Sequence, residues 1–177
     1  MTYINSLDEK IYELLIKMQS SITTQTMIII SFFASTITLI ALTVVLMALI
    51  KQKKYTKLIA INLLISFIIN RVLKFIFRRQ RPPRIQIVQE NGFAFPSGHT
   101  MIATAYFGFI IYLIYKNMKN KKLKYSLIVL LSLIVLLVGI SRVYLGVHYV
   151  TDVIGGIIFG AVYLVFFIKY LKKKKIL

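Results

Sequence analysis

Between Lys17 and Lys51 the chain runs for 33 residues without a single charged side chain. A soluble fold of 177 residues cannot bury such a run. A bilayer can, at about 20 apolar residues per crossing. Only 16% of the residues are charged and 58% are hydrophobic, and the length suits one domain, residues 1–177. These features exclude a soluble enzyme, a disordered tail and a nucleic-acid-binding domain, despite a net charge of +18. With no Cys, disulfides, thiolate nucleophiles and Cys-based metal sites are excluded too. The first residues lack the basic-then-apolar order of a cleavable signal peptide.

The expected fold is therefore an all-α integral membrane bundle. Crossings are expected at about 24–50, 57–78, 98–116, 124–141 and 149–169, the fourth near the short limit. A basic tail follows over 170–177. Residues 1–20 read as an amphipathic helix lying in the membrane interface. Ser6 and Glu9 fit a capping box, and Leu7, Ile11, Leu14, Leu15 and Met18 recur at helical spacing, away from Asp8, Glu9 and Lys10. The same pattern fits an ordinary N-terminal helix that frays.

Charge placement orients the bundle. The connections 51–57 and 116–124 and the tail 169–175 carry four, five and five Lys, which is 14 of the 23 cations. Five crossings put all three clusters on one side. Positive connections stay in the cytoplasm, so the other end faces outward from the plasma membrane. Lys10 and Lys17 lie in the N-terminal helix. The other seven cations, Arg71, Lys74, Arg78, Arg79, Arg81, Arg84 and Arg142, fall at or near the outer ends of crossings two and four, against that rule. An anionic ligand at the outer surface would account for them; snorkelling to lipid phosphates is the plainer reading.

Three segments meet at that level. In the second crossing Asn62, Ser66, Asn70 and Lys74 form a polar stripe. Interhelical hydrogen bonding would explain the first two. Lys74 begins Lys74-x6-Arg81-Pro82, where Pro82 and Pro83 end helical geometry and leave Arg81 at the rim. Phe95-Pro96-Ser97-Gly98-His99 then opens the third crossing, so free backbone N–H groups and the positive end of a helix dipole point outward. Finally, Ser141-Arg142-x5-His148-x3-Asp152 puts a carboxylate one helical turn from an imidazole, the arrangement of an oriented base or nucleophile. A structural His–Asp hydrogen bond would look the same. Of the five acids, Asp8, Glu9, Glu13, Glu90 and Asp152, only the last is near this centre. Clustered carboxylates or extra His would be needed for a metal. Neither a metal nor a cofactor is expected.

These three segments resemble the type 2 phosphatidic acid phosphatase (vanadium haloperoxidase-like) family, whose pattern is K-x6-R-P, P-S-G-H and S-R-x5-H-x3-D. The match covers residues 74–152, with every position present. The run Gly146-Val147-His148-Tyr149-Val150-Thr151-Asp152 looks like the small bacterial members. Those usually have six crossings, and this chain reads as starting after the first. The resemblance implies a lipid phosphatase. His148 would be the nucleophile that forms a phosphohistidine, Asp152 its orienter, and His99 the general acid. Lys74, Arg81 and Arg142, with Ser97 and the Gly98 backbone, would hold the phosphoryl oxygens. The implied substrates are phosphatidylglycerophosphate, undecaprenyl pyrophosphate, phosphatidic acid or diacylglycerol pyrophosphate. A phosphotransferase using the same intermediate and a non-catalytic anion-binding membrane protein are the alternatives. Arg71, Arg78, Arg79 and Arg84 lie outside the pattern. They would grip a second phosphate or lipid headgroups, with a solvated surface equally open for Arg79 and Arg84. Gly156-x3-Gly160 is expected to be a helix-packing contact.

Overall fold

The computed structural model describes residues 2–83 and 86–177, in side-chain detail from residue 8 onward. Arg84 lies outside the described residues, as do the side chains of Ser6 and Leu7. The described residues form seven helices: α1 (Thr2–Ile16), α2 (Ser21–Phe32), α3 (Thr36–Leu49), α4 (Lys53–Phe77), α5 (Gly98–Asn117), α6 (Lys121–Tyr144) and α7 (Val150–Lys173). Four of these, α4 to α7, are long and apolar enough to cross a membrane singly. The pair α2–α3 is long and apolar enough only when its two helices are taken together across their break, which gives a fifth crossing if the pair is one span. Helix α5 is the hub, packed against α4, α6 and α7, while α2 lies on α6 and α3 on α4. Burial follows a membrane protein's logic. Asn62, Ser66, Asn70, Thr100, Ser141 and Asp152 are inside, while Ile61, Leu64, Ile68, Leu133 and Ile158 face outward.

The first crossing departs from the expected continuous span over 24–50. It bends by 55° between α2 and α3. The break is built by polar caps inside an apolar run. The Ser35 side chain accepts from Thr38 N at 3.1 Å and starts α3. It sets Ser31 where its hydroxyl accepts from Arg142, and brings Ala34 and Thr36 to the site. The fourth crossing is longer than expected, with α6 spanning 24 residues. Helix α4 ends before the prolines: Arg78 takes a left-handed conformation (φ 47°) and its N–H closes on Lys74 O at 3.0 Å. Arg81 thus stands in a loop, not on a helix end.

The N-terminal helix also corrects its reading. It starts ahead of Ser6, so the expected cap lies within it. Its buried face is not the expected apolar stripe. Leu14 and Met18 are exposed, whereas Asp8 and Tyr12 are buried. Asp8 accepts from Thr151 N at 3.0 Å and Thr151 Oγ1 at 2.9 Å, which caps the first turn of α7 from another helix. Tyr12 packs on Val143 and Val153. Helix α1 therefore docks on the outer ends of α6 and α7.

Interior polar bonds hold the crossings in register. Thr43 Oγ1 lies 2.9 Å from Tyr106 Oη, joining α3 to α5. Tyr144 Oη lies 2.9 and 3.0 Å from the Thr23 and Thr24 hydroxyls, joining α6 to α2. Asn62 and Ser66 do not bond across helices as expected. Ser66 donates to Leu63 O of its own helix at 2.9 Å. The Asn62 amide has no partner among the described residues, although its backbone carbonyl accepts from Tyr163 Oη at 3.3 Å.

Gly156 and Gly160 let α5 and α7 approach closely. A Cβ on Gly160 would sit 2.7 Å from Met101 O and 2.9 Å from Thr104 Cβ. The nearer atom is backbone and cannot rotate away. Gly160→Ala is expected to cost about 1–3 kcal/mol of stability, read as a lower thermal midpoint in detergent. An unchanged midpoint would mean that the two helices separate freely.

Candidate active site

The lysine runs gather at one end of the bundle. There Tyr55 Oη donates to Asn117 at 3.1 Å, and the Lys124 and Lys172 ammonium groups lie 5.4 and 5.5 Å from the Tyr115 and Tyr112 rings. The opposite end holds a cavity of about 430 Å³. Lys74, Arg81, Gly98, His99 and His148, from three separate stretches of sequence, all line it.

Each wall follows from local sequence. Phe95 wedges its ring against Phe77 at 4.8 Å and Phe159 at 6.0 Å, over the bare face of Gly155. Ala94 N donates to Arg79 O at 2.8 Å and Ser97 N to Asp152 O at 3.0 Å. Between these anchors the chain is fixed as it enters α5, and Gly98 and His99 form the first turn at the cavity. A Cβ on Gly98 would meet Asn70 Oδ1 at 3.0 Å, so α4 packs closely against this turn. Gly146, at φ 75°, makes the tight turn between α6 and α7 that delivers His148.

The His148 ring is buried at 2% exposure. Its Nδ1 lies 3.3 Å from Asp152 Oδ2, and its Nε2 lies on the cavity side, 3.5 Å from Arg81 Nη1. Burial first, then the Arg142, Arg81 and Lys74 cations, hold the imidazole well below its ordinary value of 6.5. It is neutral at physiological pH, with a free lone pair on Nε2 when Nδ1–H donates to Asp152.

Asp152 is wholly buried and serves more than His148. It accepts from Tyr149 N at 2.9 Å and from Arg79 Nη1 at 2.7 Å. Arg79 also reaches Asp8 at 3.3 Å and Thr151 Oγ1 at 2.7 Å, with its guanidinium 4.2 Å from the Tyr149 ring. Arg79 is thus a buttress of the site rather than a solvated surface residue.

The cations are held in place by the loop. Arg81 donates to Gly92 O, Val147 O and Asn91 O at 3.0, 2.9 and 3.1 Å. Lys74 donates to Phe93 O and, at 3.4 Å, to Ala94 O. Arg142 is 2% exposed and stands behind the cavity wall. It pairs with Glu90 at 2.5 Å and donates to Ser31 Oγ. Glu90 itself lines the cavity and lies 3.7 Å from Arg81. Burial would raise its carboxyl, but Arg142, His99 and Arg81 outweigh that and hold it below its ordinary value. Ser97 does not line the cavity: it is buried, with its hydroxyl 3.0 Å from Thr100 Oγ1.

Three residues at the site were missed by the sequence reasoning. Arg79 and Glu90 act through partners distant in sequence, so no local signal marks them. Asn70 could have been found, since it lies one turn from Lys74 on the polar stripe. Its amide reaches Pro96 O at 3.4 Å.

A second hollow adjoins the first. It lies between α3 and α4, is lined by Ile40, Val44, Met47, Leu63 and Leu64 among others, and also measures about 430 Å³. Thr36, Phe67 and Ile102 line both, so the polar cavity continues into an apolar groove.

Comparison with known proteins agrees with this architecture. The sequence model of the PAP2 superfamily matches residues 54–176. Phosphatidylglycerophosphatase B of Bacillus subtilis (strain 168) is 45% identical over 97 residues, a stretch covering 52% of this chain and 46% of that protein. The match thus spans about half the length of that relative. The crystal structure of a transmembrane PAP2-type phosphatidylglycerolphosphate phosphatase from Bacillus subtilis superposes with a TM-score of 0.88 at 30% identity, over 98% of this chain and 88% of that one. Aquifex aeolicus LpxE shares the fold, with a TM-score of 0.76 at 20% identity over 93% of this chain and 96% of that one. With its matched segment running from the start of α4 to the end of α7, this multi-span membrane protein belongs to the PAP2 superfamily.

Proposed function

We propose that the protein is a lipid phosphate phosphatase, acting on a phosphomonoester or pyrophosphate of a membrane lipid through a phosphohistidine and without a metal ion. One observation carries this reading. A cavity holding an oriented histidine, a second histidine and cationic side chains opens into an apolar groove between two crossings. The cavity suits a phosphate and the groove suits its lipid tail. The phosphatase activity for which the Bacillus subtilis relatives are named agrees with that pairing.

In the first step His148 Nε2 attacks phosphorus, forming an N–P bond as the P–O bond to the lipid breaks. His99 donates a proton to the departing oxygen. Asp152 accepts the hydrogen bond from Nδ1–H and offsets the positive charge gained by the ring. In the second step His99 takes a proton from water, whose oxygen attacks phosphorus, and His148 leaves. Lys74 and Arg81 and the N–H groups of the first turn of α5 neutralise the equatorial oxygens, with Arg142 adding charge from behind Glu90. The site faces outward from the plasma membrane, since the lysine runs at the far end are those retained in the cytoplasm.

The test is phosphate release from a panel of lipid phosphates in detergent containing EDTA. Release is expected to survive the chelator. No release from any lipid by folded protein would overturn the hydrolase reading. Nitrogen-15 spectra give a second check. His148 is expected to keep a neutral ring with its proton on Nδ1 as the pH falls through 6.5. A depressed value means that protonation comes only at lower pH, so a titration centred at or above 6.5 would contradict the nucleophile assignment.

A further inference from the structure

Most cations at the outer end are already engaged. Arg79 bridges Asp8 and Asp152, Arg81 and Arg142 share Glu90, and Lys74 lies on loop carbonyls. Arg78 donates to Phe75 O at 3.0 Å and lies over the Phe75 ring. Arg71 differs. It lines the cavity and is exposed, and no carboxylate pairs with it among the described residues. Its guanidinium rests on the Phe67 ring, 5.2 Å from the centroid.

Its place is specific. Arg71 and Lys74 are three residues apart on α4, on one face. Two cations so close repel each other unless an anion lies between or beside them. Phe67 lines both the polar cavity and the apolar groove. Arg71 therefore stands at the junction between the two. A lipid with its terminal phosphate at His148 and its tail in the groove must pass this junction with the intervening part of its headgroup. A guanidinium with no hydrogen-bonded or ion-paired partner among the described residues suits phosphate oxygens there.

We infer that Arg71 recognises the second phosphate of a two-phosphate lipid, and gives the enzyme a preference for such lipids over those with a single phosphate. The inference rests on the proposed lipid phosphatase activity. The second phosphate is either a phosphodiester nearer the tail or the inner half of a pyrophosphate.

The experiment compares three lipids with identical acyl chains in neutral mixed micelles. Phosphatidic acid carries one phosphate, phosphatidylglycerophosphate adds a phosphodiester, and diacylglycerol pyrophosphate adds an anhydride-linked phosphate. The readout is the ratio of kcat/KM for a two-phosphate lipid to that for phosphatidic acid, measured within one preparation so that the folded fraction cancels. Arg71→Gln is expected to lower this ratio by about tenfold or more, the worth of a charge-assisted hydrogen bond, mainly through KM. Arg71→Lys should retain part of it. The two-phosphate lipid that loses its advantage identifies the linkage recognised. An unchanged ratio, or an equal fall for all three lipids as from general attraction to anionic headgroups, would overturn the inference while leaving the phosphatase reading standing. Failure of the unaltered protein to release phosphate from any lipid would overturn both.

Discussion

His148→Ala is expected to reduce phosphate release by about 10⁴-fold or more, the scale seen when a nucleophile of a preorganised site is removed. Nothing else near the cavity can replace it. His99 lies at the first turn of α5, and among the described residues it has no hydrogen-bonded carboxylate such as Asp152 gives His148. Water would have to attack phosphorus directly, helped only by the cations. The fold should survive the change, because Asp152 keeps its bonds to Arg79 and Tyr149 N. A thermal midpoint near that of the unaltered protein would confirm this. The decisive measurement is acid-labile labelling of the protein by a lipid with radioactive terminal phosphate, quenched early. Label on the unaltered protein and none on the alanine variant is the expected result. Phosphate release within tenfold of the original rate in the variant would remove His148 from the mechanism.

Arg79→Met is expected to have the largest effect on stability. The two carboxylates that Arg79 bridges, Asp8 and Asp152, both have side chains with 0% exposure. Removing the cation leaves two buried acids with only uncharged hydrogen-bond donors, Thr151 for Asp8 and Tyr149 N for Asp152, which costs about 3–5 kcal/mol for a broken buried pair. Thermal or denaturant unfolding in detergent would measure it. Asp8→Asn combined with Arg79→Met should recover part of the loss, since one buried negative charge is then gone. Equal stability of the single variant and the unaltered protein would show that the pair is solvated and not structural. The same change should slow phosphate release even in protein that remains folded, because Asp152 loses the partner that fixes its second oxygen.

Much of this architecture was legible in the sequence because membranes impose simple rules. The crossings at α4, α5 and α7 follow from apolar length and from where lysines interrupt it. The cavity-lining positions Lys74, Arg81, Gly98, His99 and His148 sit in three short segments with fixed spacing, so local pattern suffices to find them. What escaped depended on distant partners. Asp8 looks like a solvent-facing acid on an amphipathic helix, and becomes buried only because Thr151, 143 residues later, offers it an N–H and a hydroxyl. Arg79 looks like one of several rim arginines until those two acids meet beside it. Glu90 gives no signal until Arg142 approaches from α6. The bend in the first crossing escaped for another reason. Serine and threonine are tolerated inside membrane helices, so Ser35 and Thr38 do not announce a cap.

The separation of the lysine runs from the cavity at the other end has a kinetic consequence for the proposed activity. The two lie at opposite ends of a bundle in which α4 to α7 are 20 to 25 residues long, so under the proposed phosphatase mechanism His148 would serve a single leaflet. Lipids in the other leaflet would then contribute nothing to turnover until they cross the bilayer. In a sealed vesicle with the protein inserted in one direction, hydrolysis would exhaust the accessible leaflet quickly. It would then continue at the pace of transbilayer lipid movement, a rate that no change at the active site could raise.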